Sequence, residues 1–162
     1  MRKVLFLDRD GTINVDYGYV YQIEKFVLID GILDVAKAAK EKGYDLVVVT
    51  NQSGIERGYY TLQDFQKITD HMCRLFKENG TPLLDVFYCP YLNSEDRKPK
   101  PGMFLKAAEK YQINMTESFA VGDKESDVLA AKAAGVGNAF LLTDYNSTET
   151  LSKITDIIPF LV

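Results

Sequence analysis

The chain has 162 residues, 46% of them hydrophobic and 26% charged, with a net charge of −4 at pH 7. This size and composition predict one globular domain over residues 1–162 with a substantial core. The acidic balance, with a pI near 5.0, argues against a protein whose main partner is the nucleic-acid backbone. A small molecule or another protein is therefore the expected partner.

The sequence also indicates where the protein works. Its first apolar run begins almost at Met1 and no run approaches membrane-spanning length, so we expect a cytoplasmic protein with no membrane partner. We expect a monomer or a small homo-oligomer.

Cys73 and Cys89 do not form a close pair in the sequence. Two reduced, largely buried thiols are expected, with a disulfide as the open alternative.

Apolar segments of strand character alternate with amphipathic segments of helical period along the chain. Strands are predicted over Val4–Leu7, Asp45–Thr50, Leu83–Cys89, Ser118–Gly122 and Ala139–Leu142. A first helix is predicted between Asp30-Gly31 and Lys42-Gly43, and a second one after Thr61, which acts as its N-cap with Asp64 in a capping box. Three further helices are predicted over Pro101–Tyr111, over Asp127–Ala134 and from about Ser147 to Asp156. The alternation predicts an α/β fold: a three-layer, Rossmann-like parallel sheet with helices on both faces.

The segment Ile13–Ile29, called the flap below, interrupts this alternation after the first strand. It is rich in Tyr and Val with Gly18 in the middle, which predicts a small hairpin or flap of β structure. The alternating Tyr17, Tyr19 and Tyr21 are more typical of strand packing than of a surface on which bases stack.

Chemically reactive side chains follow the carboxyl ends of the predicted strands, where parallel sheets bind their ligands. Asp8 and Asp10 stand one residue apart on a Gly-containing turn, and two acids held so close need a cation or a shared proton. Thr50-Asn51, Lys98 and Gly122-Asp123 follow later strands and can converge with them. The three carboxylates match the oxygen ligands that Mg²⁺ prefers, and a hydroxyl with an ammonium suits a phosphoryl group.

Four of these segments resemble the motifs of the haloacid dehalogenase superfamily of phosphatases: Asp8-Arg9-Asp10-Gly11-Thr12, Thr50-Asn51, Lys98, and Gly122-Asp123 with Asp127. The resemblance spans essentially the whole chain and implies a Mg²⁺-dependent phosphoric monoester hydrolase. It implies that Asp8 forms an aspartyl-phosphate, and that Asp10 protonates the leaving group and then activates water.

The same resemblance implies the roles of the remaining motif residues. Thr50 and Lys98 would hold the phosphoryl oxygens. The Mg²⁺ ligands would be Asp8, the backbone carbonyl of Asp10, and Asp123. The role of Asp127 is left open by the sequence. It could be a further Mg²⁺ ligand, an acid that supports the ligands, or a carboxylate that interacts with the N-terminus of a helix.

Longer strings narrow the resemblance to the histidinol-phosphatase and heptose-bisphosphate phosphatase group. They are Asp8 to Asn14, Asn51 to Ile55 with Arg57-Gly58, Arg97 to Met103, and Gly122-Asp123-Lys124. The narrower resemblance implies hydrolysis of a small sugar phosphate, the 7-phosphate of D-glycero-D-manno-heptose 1,7-bisphosphate. Histidinol phosphate is the alternative substrate.

The loop after Cys89 departs from that group. Its members commonly carry a zinc loop that opens with Cys-Pro-His and closes with Cys-x-Cys before Arg-Lys-Pro. Here Tyr91 stands in the place of the His, and Ser94 and Asp96 stand in the places of the later cysteines. One thiol cannot replace four ligands, so we expect no structural Zn²⁺.

The spacing of the motifs leaves no room for a separate lid domain, because flap, helix and strand fill the intervals where the superfamily inserts one. The resemblance therefore implies a capless fold in which loops at the rim set specificity. The candidate substrate-binding residues of this rim are Asn51, Gln52, Ser53, Arg57, Arg97 and Lys124, with Lys100 as a further candidate. Guanidinium groups match phosphate oxygens; the alternative for these cations is a solvated basic loop.

The sequence leaves two other functions to be considered. A phospho-accepting signalling receiver also uses clustered acids, a Thr and a Lys on an α/β sheet, but it would carry its acceptor Asp on a middle strand, where this chain has Thr50. An inactive sugar-phosphate binding protein would be expected to lose Asp8 or Asp10, and both are present. His71, the only histidine, lies away from every strand end and is expected to be structural or exposed.

Overall fold

A parallel sheet forms the centre of the protein. The computed structural model describes residues 1–144 and 147–162. Its strands are β1 (Lys3–Leu7), β2 (Tyr44–Asn51), β3 (Asp85–Cys89), β4 (Phe119–Gly122), β5 (Asn138–Leu142) and β6 (Thr150–Leu151). Within these described ranges they pair in parallel in the order β3-β2-β1-β4-β5-β6. The predicted parallel α/β fold is confirmed.

Helices cover both faces of the sheet. They are α1 (Ile32–Glu41), α2 (Leu62–Glu78), α3 (Gly102–Tyr111) and α4 (Glu125–Ala133), with 3₁₀ helices at Ile23–Lys25, Met115–Glu117 and Ile154–Phe160. Successive side chains of a strand point to opposite faces, so Leu5 of β1 packs in the core with α1 and α2, while Phe6 packs in the core with α3 and α4. Both faces of β1 are buried, which explains its continuous apolar sequence.

Local sequence signals set both ends of α1 and the start of α2 as predicted. Thr61 caps α2: its hydroxyl accepts the N–H of Asp64, and the Asp64 carboxylate accepts the N–H of Thr61, both at 3.0 Å. Gly31 and Gly43, with φ of 87° and 86°, flank α1 in the left-handed conformation that glycine adopts without strain. The bounds of α1 and the start of α2 therefore follow from local sequence signals.

The C-terminal segment differs from the prediction. The sequence pattern predicts a helix from about Ser147 to Asp156, but the structure has β6 and then the 3₁₀ helix Ile154–Phe160. Thr150 and Leu151 pair with the end of β5, and a β-branched residue beside a buried Leu suits an edge strand. Pairing with a neighbouring strand thus overrides the local helical pattern.

The flap contains less β structure than predicted. Asn14 forms an isolated antiparallel bridge with Leu28, and between them the described backbone forms turns and the 3₁₀ helix Ile23–Lys25. Gly18 and Tyr19 have φ of 86° and 48°, which ends any extended run. The interpretation of the alternating tyrosines as strand residues is therefore wrong.

The two cysteines agree with the sequence-based expectation about disulfides, and the helices can be compared with the expectation about membrane spans. Cys73 is partly buried and Cys89 is buried, and both are free thiols, so the disulfide alternative does not apply. Among the helices in the described part of the chain, none has the length and apolar character needed to cross a bilayer.

Candidate active site

Lys98 lies between two acids at the carboxyl edge of the sheet. Its ammonium nitrogen is 2.9 Å from Oδ1 of Asp8, which follows β1, and 2.6 Å from Oδ1 of Asp127, in the first turn of α4. The same nitrogen donates to the carbonyl of Val49 at 2.7 Å. All these groups are buried. Convergence of the strand ends therefore brings together Asp8, Asp127 and Lys98 from separate segments of the chain.

Asp8, Asp123 and Asp127 form a cluster that fits a divalent cation. Each offers a carboxylate oxygen, and these oxygens lie within 4.8 Å of one another. Oδ1 of Asp123 is buried and has no hydrogen-bond partner in residues 1–144 and 147–162, although a buried charged oxygen needs one. A Cβ at Gly11 would collide with the Asp123 carboxylate, so only glycine allows this close approach. Hard carboxylate oxygens in this arrangement are the ligands that Mg²⁺ prefers.

The charges of the cluster are unbalanced. Burial raises the pKa of Asp8 well above its usual value, Lys98 opposes this, and the carboxylates of Asp127 and Asp123 add to the increase. Burial also raises the pKa of Asp123, with Lys124 acting against it. Burial lowers the pKa of Lys98, but Asp8 and Asp127 outweigh burial and the pKa is raised. Lys98 therefore stays protonated, and its single charge would not balance the three acids of the cluster when all of them are ionised.

Asp127 uses both carboxylate oxygens within the protein. Oδ1 contacts Lys98, and Oδ2 accepts the backbone N–H of Lys124 at 3.1 Å. The second contact closes the N-terminus of α4, which begins at Glu125, two residues before the predicted start. Asp127 thus caps the helix, as one of the interpretations expects, and it also holds Lys98.

Asp10 is held by Arg9, Asn14 and Gln52. Arg9 places one guanidinium nitrogen 2.9 and 3.0 Å from the two oxygens of Asp10, while Asn14 and Gln52 donate at 3.0 and 3.1 Å. Arg9 is 1% exposed and also donates to the carbonyl of Val20 at 2.7 Å, which joins the flap to the first motif. Sequence reasoning missed the roles of Arg9 and Asn14. The available signal was a cation between two acids directly after a buried strand.

Gln52 connects Asp10 with Thr50. Its amide nitrogen also donates to the Thr50 hydroxyl at 2.9 Å, and its amide oxygen accepts from the hydroxyl of Tyr60. Burial raises the pKa of Tyr60 to about 12, so this phenol remains a donor at neutral pH. The Gln52 amide, predicted to bind substrate, is therefore engaged inside the protein. Tyr60 was not identified from the sequence, because its partner lies in a loop whose path the sequence pattern does not give.

Asn51 fixes the loop that carries Lys98. Its side-chain nitrogen donates to the carbonyl of Lys98 at 3.1 Å, and its side-chain oxygen accepts the N–H of Lys98 at 3.0 Å. This pair of bonds orients the Lys98 backbone beside the end of β2. Asn51, predicted to bind substrate, therefore also positions the buried ammonium.

A cavity of about 530 Å³ opens beside Asp10 at the same edge. Nη1 of Arg97 is buried without a partner in the described ranges of the chain, and Nε of Arg57 donates to the Ser53 hydroxyl at 3.2 Å. Of the predicted site residues, those that line the cavity are Asp10, Asn51, Gln52, Ser53, Arg57, Arg97, Lys98 and Lys124. The lining thus combines several cations with the proton-transfer candidate Asp10.

Two residues considered from the sequence lie elsewhere. Lys100 pairs with Glu95 at 3.2 Å on an exposed part of its loop and does not line the cavity. His71 is partly buried on α2 and packs edge-to-face on Phe26, in agreement with its expected structural role.

Comparison with known proteins decides the family. Residues 5–135 match the model of the haloacid dehalogenase-like hydrolases. The chain belongs to this family. Family membership, predicted from the four motifs, is confirmed, and with it the enzyme class, a hydrolase, in preference to the signalling receiver.

Similar members of the family carry related names. The D-glycero-alpha-D-manno-heptose-1,7-bisphosphate 7-phosphatase of Burkholderia mallei is 44% identical over 98% of this chain and 93% of that protein. The D-glycero-beta-D-manno-heptose-1,7-bisphosphate 7-phosphatase of Helicobacter pylori is 51% identical over 86% of this chain and 83% of that protein. The solved structure of D,D-heptose 1.7-bisphosphate phosphatase from B. bronchiseptica, complexed with magnesium and phosphate, matches with a TM-score of 0.88 at 26% identity, over 98% of this chain and 97% of that one.

Proposed function

We propose that the protein is a Mg²⁺-dependent phosphatase that removes the 7-phosphate of D-glycero-D-manno-heptose 1,7-bisphosphate through an aspartyl-phosphate on Asp8. The observation that carries the proposal is the cluster of buried Asp8 and Lys98 with partly buried Asp123, beside a cavity lined with cations. The names of relatives 44% and 51% identical to the chain support the substrate. A single catalytic domain and a cytoplasmic location remain predictions from the sequence.

Asp8, Asp123 and the backbone carbonyl of Asp10 would hold the Mg²⁺. The unpartnered oxygen of Asp123 and the clustering of three acids around one ammonium support this assignment. When bound, the cation supplies positive charge that keeps Asp8 ionised and offsets the charge of the phosphoryl oxygens. Asp127 is a weaker candidate ligand than Asp123, since both of its oxygens contact other groups of the protein.

The phosphoryl group to be transferred would sit between Asp8 and the cations of the site. Lys98 and the hydroxyl of Thr50 bind its oxygens, as the motifs imply. Arg57, Arg97 and Lys124 line the cavity beyond Asp10 and bind the second phosphate or the sugar hydroxyls. The buried, unpartnered Nη1 of Arg97 supports this role, because a guanidinium group binds phosphate oxygens with paired hydrogen bonds.

Hydrolysis then takes two displacements at phosphorus. A carboxylate oxygen of Asp8 forms a bond to phosphorus while the bond from phosphorus to the sugar oxygen breaks, and Asp10 gives its proton to that oxygen. In the second step Asp10 removes a proton from water, the water oxygen attacks phosphorus, and the bond to Asp8 breaks. Inorganic phosphate leaves, and Asp8 and Asp10 return to their starting states. Arg9, Asn14 and Gln52 hold Asp10 in place for both proton transfers.

The loop of residues 91–100, which carries Arg97, has contacts of its own in place of the zinc ligands. The carboxylate of Glu56 accepts the N–H of Leu92 at 2.5 Å, and Asp96 pairs with Lys106 on α3. We therefore propose that the protein holds no structural Zn²⁺. Elemental analysis of protein purified without chelators tests this, and stoichiometric zinc would contradict it.

The activity is tested by phosphate release in Mg²⁺ from both anomers of the heptose bisphosphate, histidinol phosphate and a panel of sugar monophosphates. We expect the highest kcat/KM with the heptose bisphosphate. Asp8→Asn should abolish turnover, whereas the control Asp70→Asn, at an exposed position of α2, should not change it. Failure of folded protein to release phosphate from any of these compounds would refute the proposed function. Normal activity of Asp8→Asn would refute the assignment of the nucleophile.

A further inference from the structure

Tyr19 forms part of the wall of the active-site cavity, although it belongs to none of the four motifs. Tyr19 and Tyr60 are the aromatic residues in the described lining of the cavity. Tyr60 is 6% exposed and its hydroxyl is bonded to Gln52, whereas Tyr19 is 47% exposed. Most of the other lining side chains are polar or charged. Tyr19 therefore provides the exposed aromatic surface of this cavity.

Contacts with the loop of residues 52–60 fix the ring of Tyr19. It packs edge-to-face on Tyr59, with ring centroids 4.7 Å apart and an interplanar angle of 77°. It also lies against Gly54, where a Cβ would come within 3.0 Å of the Tyr19 ring and would collide with Tyr60. The absence of a side chain at residue 54 thus lets the ring approach the loop backbone.

The backbone of Tyr19 is held in an unfavourable conformation. Its φ of 48° is left-handed, which is uncommon for a bulky residue and persists only where the surroundings impose it. Gly18 precedes it with φ of 86°, and together the two residues turn the chain so that Tyr19 meets the cavity. Tyr17, two residues earlier, is 60% exposed and does not line the cavity.

We propose that the exposed face of the Tyr19 ring packs against the carbon-bound hydrogens of the sugar and so selects sugar phosphates over small acyclic phosphate esters. The proposal rests on the phosphatase function proposed above and adds a specificity residue to it. A sugar presents C–H groups alongside its hydroxyls and phosphates; the cations of the cavity bind the charged groups, and the aromatic face suits the C–H groups. Because Tyr19 is not among the groups around Asp8, it should change substrate binding more than the chemical step.

The test compares Tyr19→Ala and Tyr19→Phe with Tyr17→Ala, a matched control from the same flap. Each protein is assayed with the heptose bisphosphate and with glycerol 3-phosphate as the small acyclic ester. We expect Tyr19→Ala to raise KM for the bisphosphate about tenfold, equivalent to about 1.4 kcal/mol, with kcat within about twofold of wild type. Tyr19→Phe and Tyr17→Ala should match wild type. Tyr59→Ala, which removes the support of the ring, should raise KM in the same direction by a smaller factor.

The acyclic ester separates specificity from a loss of structure. An unchanged kcat/KM for glycerol 3-phosphate in Tyr19→Ala shows that the variant is folded and that its defect concerns the sugar. An equal loss on both substrates, an unchanged KM for the bisphosphate, or a tenfold loss in Tyr19→Phe would each overturn the inference. Wild-type protein that hydrolyses glycerol 3-phosphate but no sugar phosphate would overturn the proposed substrate, and the inference with it.

Discussion

The carboxylate of Asp127 lies 2.6 Å from the ammonium nitrogen of Lys98. This contact joins the first turn of α4 to the loop that follows β3, across the carboxyl edge of the sheet. The second oxygen of Asp127 accepts the N–H of Lys124, so one residue both caps a helix and orients the cation beside Asp8. Asp127 is therefore best described as a positioning residue for Lys98.

We expect Asp123 and Asp127 to differ in how strongly they affect metal binding. Asp123→Asn removes a charge from an oxygen that has no protein partner in the described residues, and we expect it to raise the Mg²⁺ concentration for half-maximal activity more than about 100-fold. Asp127→Asn should raise it no more than about tenfold. Calorimetric titration with Mg²⁺ and phosphate release at varied Mg²⁺ measure both effects. Equal shifts in the two variants would contradict the distinction.

Removing Lys98 should destabilise the protein. In Lys98→Met the buried carboxylates of Asp8 and Asp127 lose the ammonium that lies between them, and an uncompensated buried charge lowers the free energy of unfolding by about 3–5 kcal/mol. Lys98→Met/Asp127→Asn should recover part of the stability and none of the activity. Urea unfolding at pH 7 without Mg²⁺ measures this. A single variant as stable as wild type would show that the acids do not need this cation for folding.

Arg9 should affect the rate without affecting substrate binding. Arg9→Lys keeps the charge, but Lys ends in a single nitrogen on a flexible stem, whereas Arg9 holds Asp10 with both Nε and Nη2 of a rigid planar group. We expect kcat to fall at least about tenfold with KM little changed, because the proton-transfer group loses its orientation. Steady-state kinetics with Arg74→Lys, an exposed Arg on α2, provide the control. An unchanged kcat in Arg9→Lys would contradict the role of Arg9.

Asp45 should make stability depend on pH. Burial acts to raise the pKa of Asp45, but hydrogen bonds from Lys40 and Arg2 outweigh it and the pKa is lowered. A lowered pKa means that folding favours the ionised form, so this contribution is present above the usual value of 3.8 and is lost as pH falls through the lowered pKa.

Asp45→Asn tests this dependence. It should reduce the free energy of unfolding at pH 7 by less than about 1 kcal/mol, because the pair is partly exposed. The difference from wild type should shrink as the pH falls below 3.8. Urea unfolding across this range, with Asp70→Asn as the control, checks the prediction. A difference that grows towards low pH would refute it.

The sequence predicts the fold wherever a local pattern is sufficient. The apolar run of β2 is buried on both faces, and Thr61 with Asp64 caps α2, so periodicity and capping give these elements directly. β6 escapes prediction because two residues have no period of their own and become a strand only by pairing with β5. The left-handed backbone of Tyr19 escapes for a similar reason, since its ring packs on Tyr59 of another loop.

The candidate site shows the same division. The meeting of Asp8, Lys98 and Asp123 can be predicted, because parallel strands end at one edge of a sheet. The bonds of Gln52 to Asp10, Thr50 and Tyr60 cannot be predicted. These hydrogen bonds depend on how side chains from separate segments are oriented towards one another. From its residue type alone, Gln52 would be expected to contact the substrate.

The strand order has a consequence for how freely the protein can vary. Asp8 and Asp123 follow β1 and β4, and Thr50 lies near the end of β2. These three strands are adjacent in the sheet and are flanked by β3 on one side and β5 on the other. The two-residue strand β6 at the far edge carries none of the candidate residues. The C-terminal segment instead packs Ile154, Ile157 and Leu161 into the core that α1 also lines. Substitutions in that segment should therefore change the stability of the fold before they change the chemistry.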